Sequence, residues 1–155
     1  MNPVSSKLLY LASAITLFAS LLHYACIAWG ADGFRFMGAG EAIAQMAERG
    51  HWYPAFVAAL VGTALWIAAL AACAAARGKP KLPLHRWILA VTAVVFMLRG
   101  LAFPLLKPVF PENSDAFWLT TSALCLFTGT LYALGAWNFW RSQTQPKLQL
   151  TGKKI

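Results

Sequence analysis

LLYLASAITLFASLLHYACIAW, residues Leu8–Trp29, carries no Asp, Glu, Lys or Arg, and its length decides the fold class. At 1.5 Å per residue, a helix of about 20 apolar residues matches the roughly 30 Å hydrocarbon core of a bilayer. Within lipid an open chain satisfies its backbone N–H and C=O groups only as a helix. Lys7 followed by an apolar stretch also fits a signal peptide, but the stretch exceeds the usual apolar core of about 7–15 residues. It also lacks a small-x-small cleavage site before a polar segment. His23-Tyr24-Ala25-Cys26 is no lipoprotein box, since His stands where Leu is expected. The segment reads as a retained transmembrane helix.

Working outward, three more spans follow at about Tyr53–Ala76, Trp87–Leu106 and Phe117–Trp140, with Pro104 and Pro108 disrupting or ending the third. The expected fold is an all-α membrane protein, a four-transmembrane-helix bundle in a single integral domain over residues 1–155. Ala58 and Gly62 give the second span a small-residue face, and Ser122, Gly129, Ala133 and Ala136 give the fourth another, so that neighbouring helices approach closely. Trp29, Trp52, Trp87, Trp118 and Trp140 sit near span ends, where indoles settle at the lipid–water interface. The composition agrees: 59% hydrophobic and 12% charged, against about 25% charged in soluble domains.

The net charge of +8 is a matter of orientation and not of nucleic-acid binding, because the basic residues flank apolar spans. Lys7, Arg77, Lys79, Lys81, Arg86, Arg141, Lys147, Lys153 and Lys154 fall on one side, and only Arg35, Arg49 and Lys107 on the other. That bias places both termini and the middle link in the cytoplasm. The tail from 142 to 155 is polar and basic and reads as disordered. Cys26, Cys73 and Cys125, odd in number and without a CxxC pair, read as packing residues.

In the link between the first two spans, Gly38-Ala39-Gly40-Glu41 opens a short helix over Glu41–Arg49 that Gly50 closes. Glu41, Gln45 and Glu48 share one face and Ile43, Met46 and Ala47 the other, so the helix lies on the outer surface or folds back over the bundle. Arg99, in Met97-Leu98-Arg99-Gly100-Leu101, lies about 18 Å along the third span from Trp87. A bare Arg at such depth costs at least about 2.5–3.5 kcal/mol, so it demands a partner or a route outward for its side chain. His23, Thr120, Thr121, Ser122, Glu41, Glu48 and His51 belong to the same side, so polar chemistry converges on the outer mouth. Arg99, Glu41, Glu48, His23 and His51 are the candidates, either for a ligand site or for an ion pair that pins the outer helix. The catalytic signatures tested, HExxH, a nucleophile elbow and a phosphate-cradling loop, are missing. Of the three histidines only His23 and His51 share a side and could pair on a haem, and His51 on its loop is a loose mount for a ligand. Neither a cofactor nor a metal is expected.

With these residues in view, the chain resembles a family of small four-helix bacterial inner-membrane proteins without an assigned activity. The likeness rests on Phe36-Met37-Gly38-Ala39-Gly40-Glu41, Glu48-Arg49-Gly50-His51-Trp52-Tyr53-Pro54-Ala55, Leu82-Pro83-Leu84 and Leu98-Arg99-Gly100-Leu101, and runs from His23 to about Gly135. It implies fold and location and carries no mechanism. A looser likeness to small multidrug exporters fails because the first span lacks their embedded acidic residue. Three functions compete. The first is an accessory or binding protein holding a lipid, a hydrophobic molecule or a partner subunit at an outer mouth lined by Tyr24, Phe36 and Trp118. The second is a lipid-modifying enzyme using Glu41 or Glu48 with Arg99 as an anionic anchor. The third is a small homo-oligomeric transporter, for which Thr63, Thr92 and Asn138 offer little polar path. The partners expected are the bilayer, a lipid or hydrophobic ligand, and a second copy or a membrane partner subunit; an enzyme is the less favoured reading.

Overall fold

The computed structural model describes residues 3–78 and 84–144. These are helical throughout apart from turns: α1 (Pro3–Trp29), α2 (Ala31–Phe36), α3 (Glu41–Glu48), α4 (Trp52–Ala76), α5 (Leu84–Leu101), α6 (Phe103–Leu106) and α7 (Asp115–Thr144). Three of them, Pro3–Trp29, Trp52–Ala76 and Asp115–Arg141, are long and apolar enough to cross a membrane. Part of the basic tail read from residue 142 is helical, because α7 runs to Thr144; residues 145–155 lie outside the described residues, as do 79–83 in the middle link.

The long helices form two antiparallel pairs, α1 with α4 and α5 with α7, joined chiefly through α1 and α7. The first pair is stitched by three serines that recur every seven residues, a spacing that keeps them on one seam. Ser6, Ser13 and Ser20 donate through Oγ to the carbonyls of Ala76, Ala69 and Gly62 at 2.7, 2.8 and 2.7 Å. Between apolar helices such bonds are a principal specific attraction, since lipid removes the hydrophobic drive for association. In the second pair, Gly129 lies so close to α5 that a Cβ there would meet the Met97 amide nitrogen at 3.1 Å and the Ala93 carbonyl at 3.3 Å. Gly100 makes the reciprocal approach, 3.0 Å from the Ser122 carbonyl. The α7 contact face differs from the sequence reading at Ala133, which is exposed, while Tyr132, Gly135 and Ala136 turn inward.

The third span read from the sequence is broken. Helix α5 ends at Leu101, and Phe103–Leu106 is a separate turn with Pro104 in its first positions. Pro104 has no N–H to donate to the carbonyl four residues back, and its ring disfavours helical backbone at Phe103.

Leu9, Ala12, Ala72, Ala75, Leu89, Ala93, Leu131 and Tyr132 make one core that draws on all four long helices. It lies toward the end where α4 leaves and α5 begins. At the opposite end a second cluster, Cys26, Phe34, Ala44 and Ala58, packs α2 and α3 against α1 and α4. Helix α3 therefore folds onto the helices through Ile43, Ala44 and Ala47, whereas Met46 stays exposed. Between α2 and α3, Gly38 and Gly40 take positive φ values of 70° and 92°. A side chain at Gly40 would also strike the Phe110 ring at 2.7 Å. Asn113 Nδ2 donates to the Gly38 carbonyl at 3.1 Å, tying this turn to the segment before α7.

Candidate functional site

The sequence reading left Glu41 and Glu48 free to meet either Arg99 or solvent; both meet Arg35. The Arg35 guanidinium donates to Glu41 at 3.0 and 2.8 Å, to Glu48 at 2.6 Å and to Asp32 at 3.2 Å. Helix α2, absent from the sequence reading, delivers it: Asp32 and Arg35 are one turn apart on α2, and Glu41 and Glu48 two turns apart on α3. Gln45 adds a weak 3.4 Å bond to Glu41. The cluster is exposed to solvent. Hydrogen bonding to Arg35 holds the Glu41 carboxyl below the usual carboxylate range, and the two glutamates raise the Arg35 guanidinium in turn. Glu41 is thereby held as an ionised acceptor, which suits a clamp between helices and does not suit proton transfer at neutral pH.

Arg99 stands apart from them. Its guanidinium lies over the Trp118 ring, 5.2 Å from the centroid, so a cation–π contact replaces the expected carboxylate. Trp118 is not an interfacial indole: it is 1% exposed, ringed by Phe103, Phe110 and Phe117. One turn further along α7, Ser122 is 7% exposed. Arg99 Nη1, Trp118 Nε1 and Ser122 Oγ are all buried, and none has a hydrogen-bond partner among the described residues. Ser122 is out of step with its own helix, since Thr121, Thr128 and Thr130 each donate to the carbonyl four residues back. Leaving a buried donor unmet costs about 1–3 kcal/mol, so three in one place need a reason.

The reason is not a misplaced acid. Of the five acidic residues, Asp32, Glu41 and Glu48 are bound to Arg35, Asp115 pairs with Lys107, and Glu112 is exposed. Among the described residues no carboxylate is paired with Arg99.

His23 belongs to the α1–α4 contact. Helix α1 meets α7 where Leu9 touches Gly135 and where Tyr132 donates to Thr16 at 3.2 Å. His23 itself faces α4, where a Cβ on Gly62 would lie 3.4 Å from the His23 Cβ. His23 Nδ1 donates to the Ala19 carbonyl at 2.8 Å. His51 is elsewhere: it caps α4 by accepting from the Tyr53 amide at 3.1 Å and stacks on Trp52. Tyr24 and Phe36 do not line the Arg99 site. Tyr24 hydrogen-bonds Thr63 at 2.7 Å, and Phe36 packs on Trp29.

Among the described residues, no group of three or more His, Cys, Asp or Glu side chains is placed to hold a metal ion. Of the five sequence candidates, Glu41 and Glu48 converge with each other but not with Arg99, and His51 is a helix cap. The residues the sequence reading missed are Arg35, taken as a loop charge, and Trp118 as the partner of Arg99. The latter was legible in part: Arg99 is an unpaired cation, and an indole at a span end is its best neutral partner. Comparison with family models, with curated proteins and with solved structures found no match.

Proposed function

We propose that the chain is an accessory or binding protein that holds a lipid or another amphiphile at its outer-leaflet end. In this reading α1, α4, α5 and α7 all cross a bacterial inner membrane, with both termini cytoplasmic, as the basic bias of the loops supports. Helix α5, of 18 residues, spans about 27 Å, close to the hydrocarbon thickness. The α2–α3 end is then the outer mouth. The resemblance to small four-helix inner-membrane proteins agrees with this architecture.

The observation that carries the reading is the trio of buried, unmet groups on Arg99, Trp118 and Ser122. An occupant supplying acceptors recovers what their burial costs, whereas a purely structural Arg would bring its own counter-ion. The enzyme reading loses its acid–base pair, since Glu41 and Glu48 are tied to Arg35.

Native mass spectrometry in a mild uncharged detergent tests it by comparing wild type with Arg99→Ala. The expected result is a co-purifying amphiphile on the wild type that the variant loses while its helical circular dichroism is unchanged. A wild type that carries nothing, or a variant that retains the adduct, overturns it.

A further inference from the structure

The chemistry of the unmet groups narrows the class of occupant. Arg99 Nη1 and Trp118 Nε1 can only donate, and Ser122 Oγ can donate. One of the three carries a full positive charge, and every acidic side chain of the chain is engaged elsewhere or exposed. A neutral acceptor such as an ester carbonyl would meet one donor and leave the charge uncompensated in an apolar setting. An oxyanion offers several lone pairs in a compact group and cancels the charge; charge-assisted bonds of this kind are about twice as strong as neutral ones.

The surroundings identify what carries the oxyanion. On α5, the apolar side chains of Val95, Leu98 and Leu101, near Arg99 in sequence, are exposed. The guanidinium carbon lies over the Trp118 ring, and Nη1 has no partner among the described residues. Ser122 keeps its hydroxyl off its own backbone, unlike the threonines around it. We infer that Arg99, Trp118 and Ser122 form a clamp for the oxyanion head of a lipid, a phosphate or carboxylate entering from the outer leaflet with its chains along α5. This rests on the binding reading above and specifies its ligand. Arg99 supplies charge and orientation, the indole N–H a fixed second donor, and Ser122 an adjustable third.

The test uses two probes that differ only at the head: 1-oleoyl lysophosphatidate and monoolein. Each is titrated into the full chain in uncharged maltoside micelles, and bound amphiphile is read by native mass spectrometry. Wild type is expected to bind lysophosphatidate at least about tenfold more tightly than monoolein, the worth of one charge-assisted bond. Arg99→Gln should bring the two together, Arg99→Lys should keep a reduced preference, and Ser122→Ala should weaken lysophosphatidate by about threefold to tenfold. If Arg99→Gln fails to fold, the Lys and Ala variants carry the comparison. Wild type that retains both probes equally overturns the oxyanion clamp and leaves the binding reading intact. Wild type that retains neither overturns both. Inorganic phosphate at matched concentration separates the sources: displacement of lysophosphatidate assigns the clamp to free phosphate, and failure to displace it assigns the clamp to a lipid head.

Discussion

Replacing Ser6, Ser13 and Ser20 by Ala, singly and together, separates the contribution of the α1–α4 seam from that of general packing. Each hydroxyl donates across the pair at 2.7 or 2.8 Å to a carbonyl of α4. Such bonds within bilayers average about 0.6 kcal/mol and reach about 1.7. Ala69 and Gly62 lie inside α4 and their carbonyls keep a helical partner, so the low figure applies there, whereas Ala76 closes the helix and its carbonyl relies on Ser6. Neighbouring serines are about 10 Å apart along the helix and share no partner, so the losses should add. The triple variant is then destabilised by at least about 2 kcal/mol, roughly a thirtyfold fall in the folded-to-unfolded ratio, with Ser6→Ala the largest single loss. Reversible unfolding by dodecyl sulfate in mixed micelles, followed by tryptophan fluorescence, measures this. Thr130, whose hydroxyl bonds only its own helix at Leu126, is the control, and Thr130→Val should change little. A triple variant within about 0.5 kcal/mol of wild type would refute the reasoning.

At the α5–α7 seam, Gly100→Ala places a Cβ 2.6 Å from Leu126 and 3.0 Å from the Ser122 carbonyl, and should cost about 1–3 kcal/mol in the same assay. The Arg35 clamp should weaken in acid. Glu41 has its folded value lowered, so its contribution is complete above the ordinary carboxyl range and fades as pH falls below about 4.5. Hydrogen exchange of α2 and α3 should accelerate there, should do so at neutral pH in Glu41→Gln, and should also rise at high salt because the cluster is exposed. The proposed orientation predicts that a membrane-impermeant maleimide labels Glu112→Cys in intact cells and Arg77→Cys only after permeabilisation.

The apolar helices were legible because lipid imposes a simple rule, about 20 uncharged residues per span, which Leu8–Trp29 meets with nothing in conflict. The break after Leu101 was only half visible. Pro104 announced a disruption, but a proline is tolerated in the first turn of a new helix, and α6 uses it so. The serine seam was hidden by its chemistry: a hydroxyl in a membrane helix usually returns to its own backbone, and Ser6, Ser13 and Ser20 look no different from Thr128 until the partner helix is placed. The site suffered most from competition between cations. Glu41 and Glu48 required a positive partner, and both Arg35 and Arg99 were within plausible reach. The three-residue spacing of Asp32 and Arg35 on α2 decided the matter, and a six-residue helix opening after Gly30 gives too weak a periodic signal to read. Trp118 was assigned by its nearness to a span end, a rule that misleads when prolines fold the preceding segment back over the ring.

The central claim is that the Trp118 indole N–H and its neighbours wait for an acceptor, and one resonance reports on it. In uniformly ¹⁵N-labelled protein in uncharged maltoside micelles, the chain gives seven indole signals, and Trp118→Phe identifies the relevant one. On addition of lysophosphatidate this signal should move downfield as Nε1–H acquires a hydrogen bond, while the exposed indoles of Trp29, Trp52 and Trp87 shift little. A Trp118 signal that stays fixed while lysophosphatidate binds elsewhere would contradict the account.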